Sequence, residues 1–78
     1  MKKNTTVFLN ELSDQLKNDD YSILIRTIAK MINQDSEISY DQQNQLKDLV
    51  VMVSLEKPSH VELLLFACQI ATWLNSCH

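Results

Sequence analysis

With 78 residues, 45% of them hydrophobic, the chain is long enough for one domain with one small core and too short for two. Its 7 basic and 10 acidic residues give a net charge of −3, and the bases are scattered, so there is no basic footprint for gripping phosphate; a basic partner surface suits the chain at least as well as an acidic one. It has no glycine and one proline, which excludes a glycine-rich phosphate loop, makes a hairpin-rich sheet hard to build, and points to an all-α fold. The expectation is a single domain over residues 1–78, a small bundle of four short helices.

Residues 1–4 read as a frayed start. The N-terminus MKKNTTVFLNE has no apolar signal core and no cleavage site. Helix one is expected from Thr5 or Thr6, either of which could cap it, to about Lys17. Leu9, Leu12 and Leu16 form its stripe with Phe8 beside them, and Asn10, Glu11, Asp14 and Gln15 face solvent. Asp19 and Asp20 interrupt the pattern and are competent caps for helix two, whose negative charge suits a helix start. That helix runs from about Tyr21 to Ile32, with Leu24, Ile25, Ile28 and Ile32 on one face. Arg26 and Lys30 lie opposite, alongside Ile23, which a monomer would leave exposed.

From Asn33 to Ile38 the chain is polar and without a stripe, so it reads as a linker of about six residues. Ser39-Tyr-Asp-Gln42 has the spacing of a capping box and starts helix three, which runs to about Glu56 with Leu46, Leu49, Val50 and Val53 on its buried stripe. The segment Leu49–Val53 is also good strand material, but its flanks tolerate helix and no partner strand is visible. Pro58 ends this helix.

A second box, Ser59-His-Val-Glu62, starts the last helix, and Ser59–Asn75 is the most apolar run in the chain. Its polar strip holds only Glu62, Gln69 and Ser76. A helix apolar over most of its circumference is expected to be buried, in a core or an oligomer interface. The run from Leu63 to Leu74 is too short to span a bilayer, so the chain is expected to be cytoplasmic with no membrane partner.

Chemistry finds little to work with. The two histidines, His60 and His78, and the two cysteines, Cys68 and Cys77, show no metal-ligand spacing, although Cys77 beside His78 could scavenge an ion at a chain end. The cysteines fall on roughly opposite faces of one helix and cannot pair within it, which suits reduced thiols in a reducing compartment. Cys68 has no neighbour that would activate it and reads as a small core residue. The acids near the helix starts read as caps or solvated groups. No enzyme activity, cofactor, metal or small-molecule substrate is expected.

The amide run Gln42, Gln43, Asn44 and Gln45, with Lys47, could read bases if helices two and three formed a helix-turn-helix. Three features argue against it: the linker is long, Asp41 and Asp48 lie alongside, and Lys47 is the sole nearby base. A solvated polar face explains the amides better.

The apolar helix with Ile25, Ile28 and Ile32, the bridge ending Ile38-Ser39, the helix closing on Ser54-Leu55-Glu56 and the long apolar last helix together resemble the small enterobacterial YmgB/AriR-type regulators linked to biofilm and acid stress. The resemblance covers about two thirds of the chain as spacing and a few identities. Such proteins often have glycine in the bridge where this chain has NQDSE. The resemblance implies a helical dimer acting as a non-catalytic connector or transcription-linked regulator.

The expected function is therefore that of a small regulatory or adaptor protein acting through helix-mediated protein–protein contact, as a homodimer or with a protein partner. Its interface is expected at Ile23, Leu64, Leu65, Cys68 and Trp73. The alternative is a DNA-binding regulator using the start of helix three, and a chaperone or toxin-neutralising role has the same composition.

Overall fold

The computed structural model describes residues 2–16, 19–33 and 35–76, with the side chains of residues 19 and 20 left aside. Four helices carry the chain: α1 (Thr5–Leu16), α2 (Asp19–Met31), α3 (Tyr40–Leu55) and α4 (His60–Ser76). Two dipeptides, β1 (Lys3–Asn4) and β2 (Glu37–Ile38), pair antiparallel, with Lys3 opposite Ile38 and Asn4 opposite Glu37. The fold is all-α, as the lack of glycine predicts, and residues 49–53 are helical.

α2, and not α4, is the centre of the molecule. It packs against each of the other three helices, and its pairing with α4 is the most extensive. Leu24 and Ile28 are 0% exposed, and Ile25 and Ile32 complete the buried face that the spacing predicts. Ala67 and Ala71, one turn apart on α4, are both buried, and such small side chains let two helix axes approach closely. α1 contributes Leu9 and Leu12 to the core, and α3 contributes Leu46, Val50 and Val53.

Hydrogen bonds at the helix ends fix the directions. Asn75, near the end of α4, accepts from the Asn33 backbone N–H at 3.0 Å and donates to the Met31 carbonyl at 3.1 Å, satisfying groups that the end of α2 leaves free. Leu24 and Leu63 line one depression at the opposite ends of the same two helices, so α2 and α4 run parallel. α1 begins beside Ser36, just beyond α2, and so runs antiparallel to it.

Lys3 and Asn4 are tied down, so the expected fraying does not extend to them; Met1 lies outside the described residues. Besides the strand pairing, Lys3 Nζ lies 2.6 Å from Glu11 Oε2. The cap of α1 is Asn4, one residue before the expected threonines: its Oδ1 accepts from the N–H groups of Thr6 and Val7 at 3.0 and 3.3 Å. Thr5 is instead 1% exposed and clasped to Ser36, itself 3% exposed. The Thr5 N–H and Oγ1 both donate to the Ser36 carbonyl, at 3.0 and 3.2 Å, while Ser36 Oγ donates to Thr5 Oγ1 at 3.0 Å. The segment read as a plain linker thus holds a buried serine, a strand residue and, in Ile38, a core residue.

α2 starts at Asp19, two residues before the sequence expectation, so both aspartates fall in its first turn rather than ahead of it. The first capping box forms in full, with Gln42 N–H donating to Ser39 Oγ and Ser39 N–H to Gln42 Oε1. The second forms by half. Glu62 N–H donates to Ser59 Oγ, but Glu62 Oε1 takes the serine hydroxyl rather than its backbone N–H. Between α3 and α4 the chain turns at Lys57, φ 48°, a left-handed position that a glycine would fill at less cost.

Candidate interaction surface

The central position of α2 decides what the other helices can cover. α4 buries one face, through Leu63, Ala67, Ile70, Ala71 and Leu74, and leaves the rest to solvent. The expectation of a helix shielded over most of its circumference therefore fails within the single chain: Leu65 is 58% exposed, Leu64 38%, and Val61 also lies outside. Cys68 is an exposed free thiol and not the small core residue expected.

α3 and α4 are consecutive yet pack against each other only lightly, because each is drawn to α2. Between them lies a groove of about 240 Å³ with Val53 and Ile70 on its floor, Leu49 and Met52 on the α3 wall, and Phe66 and Trp73 on the α4 wall. Among the described residues that line it, Gln69 is the one with a side-chain amide. The groove continues along α3 into a second depression of about 320 Å³, which shares Leu49 and Met52 and adds Gln45 and Asp48. Met52 is 54% exposed, while Leu49, Phe66 and Trp73 are half-buried. A contiguous apolar strip of this kind differs from apolar residues scattered singly over a surface.

The five residues expected at an interface do not form one patch. Trp73 lines the groove with Phe66, partly buried against the core. At 100° per residue, Leu64 and Cys68 lie roughly 140–180° away from Trp73, on the flank of α4 remote from α3. Leu65 projects between these two flanks. Ile23 is exposed on the outer side of α2, with Arg26 and Lys30.

Leu49 and Met52, which line both depressions, are not among the surface residues that the sequence singles out. Leu49 was assigned to the buried stripe, where it is the member at the edge. Met52 follows it by three residues, a spacing that places both on one strip, and this was the available signal.

The amide run is largely committed to the helix start. Gln42 completes the capping box, and Gln43 Nε2 donates to the Ile38 carbonyl at 3.4 Å. Four consecutive helical residues also point to four different sides. Asn44, Gln45 and Lys47 are exposed.

Among the described residues, no three His, Cys, Asp or Glu side chains come together to hold a metal ion, and no helix is long and apolar enough to cross a membrane. Cys77 and His78, the pair with some capacity to scavenge an ion, lie outside the described residues. Beside its aliphatic and aromatic carbon the groove presents the Met52 sulfur, the Gln69 amide and the Trp73 indole, a lining that can bind an apolar surface by burial. No protein-family model, curated protein or solved structure matches this chain.

Proposed function

We propose that the chain is a non-catalytic regulatory or adaptor protein that works by holding an apolar face of another protein chain, a second copy or a different partner, against α3 and α4. The observation carrying this reading is the groove itself, in which a half-buried tryptophan, a phenylalanine and an exposed methionine line one strip. Tryptophan is enriched among residues that dominate binding energy, and methionine adapts its shape to an incoming side chain. The resemblance to YmgB/AriR-type regulators favours a regulatory role. The exposed, unpaired thiol of Cys68 suits the reducing cytoplasm as the place of action.

A photo-crosslinking amino acid at Met52 tests the proposal in cells of the native host, with the same group at Asp14 on α1 as the reference position. Adducts formed from Met52 well above those from Asp14, whether with a second copy or with another protein, support it. Equal yields from the two positions overturn it.

A further inference from the structure

We propose that the occupant of the α3–α4 groove is an amphipathic helix of a different protein, apolar on one face and basic on the other. This rests on the interaction reading above and adds the chemistry of the partner. The groove is a trough between two helices, open along its solvent side and extended by the second depression, so its shape takes a rod with a row of apolar side chains rather than an enclosed small molecule.

The charges on its banks select the partner. Asp41 and Asp48 on α3 and Glu56 at its C-cap are exposed and lie within about 80° of one another on the strip that carries Met52. Asp48 lines the second depression. On α4, Glu62 is exposed one turn before Phe66.

Among the described residues, no lysine or arginine of α3 or α4 shares these banks. Lys47 lies roughly 140–160° around α3 from Met52 and Leu49. Lys57 lines a separate depression with Leu24 and Pro58. Lys3, Arg26 and Lys30 belong to β1 and α2. A second copy seated face to face on the groove would set acidic bank against acidic bank, and nucleic acid would meet the same repulsion. A helix with lysine or arginine flanking its apolar row would meet carboxylates on both sides.

Two synthetic helices of about 18 residues, roughly 27 Å long, suit a molecule whose longest dimension is 32 Å. They share one leucine row and carry either lysine or glutamate at every polar position. Each is titrated into the full chain while the emission of Trp73, the sole tryptophan, reports occupancy of the groove. The expected result is a blue shift with the lysine helix and affinity about tenfold above that of the glutamate helix at low salt, the sum of a few exposed pairs. The preference should narrow at about 0.5 M salt. The double change Asp48→Lys/Glu56→Lys should abolish it, and Asp14→Lys on α1 should not, with circular dichroism confirming that each variant folds.

Equal or tighter binding of the glutamate helix overturns the proposal, as does a preference that Asp14→Lys removes and Asp48→Lys/Glu56→Lys leaves. If neither helix binds while Met52 still forms adducts in cells, or if those adducts are with a second copy, the basic-helix proposal falls and the interaction reading stands. If Met52 forms no adducts above the Asp14 reference and neither helix binds, both fall.

Discussion

The clasp between Thr5 and Ser36 is the most specific long-range polar contact in the fold, joining residues 31 apart in sequence, and a double-mutant cycle measures it. Thr5→Val keeps the shape of the side chain and removes Oγ1, leaving the buried Ser36 hydroxyl without its acceptor. The Ser36 carbonyl keeps the Thr5 N–H, so the cost is the orphaned hydroxyl plus one lost bond, about 1–3 kcal/mol. Ser36→Ala is milder. Thr5 Oγ1 still donates to the carbonyl at 3.2 Å, and the single lost bond costs about 0.5–1.5 kcal/mol. With both changes no buried hydroxyl is left unpaired, so the double variant should be no less stable than Thr5→Val alone, a coupling of about 1 kcal/mol or more. Urea unfolding followed by circular dichroism and by Trp73 emission reads all four corners, and an unchanged slope licenses the comparison. Costs that add within about 0.3–0.5 kcal/mol would refute the coupling, and a neutral Thr5→Val would refute the burial of the clasp.

Lys57→Gly should stabilise the protein by about 1 kcal/mol, because the left-handed turn penalises a side chain with a Cβ. The melting temperature should rise by about 4–8 °C, and a fall would contradict the assigned turn. Ile28→Ala should cost about 2–5 kcal/mol, as expected for a fully buried residue of the helix that touches all the others. Leu65→Ala should stay within about 0.5 kcal/mol, and similar losses at the two sites would deny α2 its central place. Random duplex DNA at low salt should show no measurable affinity for the chain, and binding that weakens steeply with added salt would restore the alternative based on Gln42–Gln45 and Lys47.

What was legible in the sequence was local. Ser39 and Gln42 meet across three residues, so their box could be read directly, and the stripe of Leu24, Ile25, Ile28 and Ile32 needs the helical period alone. The strand pair was not legible, since two residues carry no periodicity and the partners of Lys3 and Asn4 lie more than thirty residues away. Thr5 went wrong for a related reason. A threonine before an apolar run has the appearance of a cap, but Asn4 already held that position, which freed Thr5 for burial against Ser36.

The error over α4 concerns number rather than pattern. A helix is shielded all round only if it has neighbours all round, and hydrophobicity does not report how many neighbours a short bundle can supply. Here three helices surround α2, so α4 shares one face with the core and its other apolar residues remain outside. Of the interface residues proposed from sequence, Ile23, Leu64, Leu65 and Cys68 are exposed and Trp73 packs partly against the core, and they spread over separate flanks of α4 and the outer side of α2.

The groove follows from the same arrangement. Because α3 and α4 each lean on α2, their facing edges stay apart, and the side chains there pack on the core from one side and keep the other open. Solubility alone would favour polar groups at such positions, and polar groups are present on both banks, at Gln45, Asp48 and Glu62. Between those banks Leu49, Met52, Phe66 and Trp73 line one groove. The exposed part of this strip, Met52 above all, has a cost in solubility that a polar side chain would not carry. In the proposed interaction this strip would supply the apolar area that a partner buries, and the acidic groups on its banks would select the sign of charge that the partner carries.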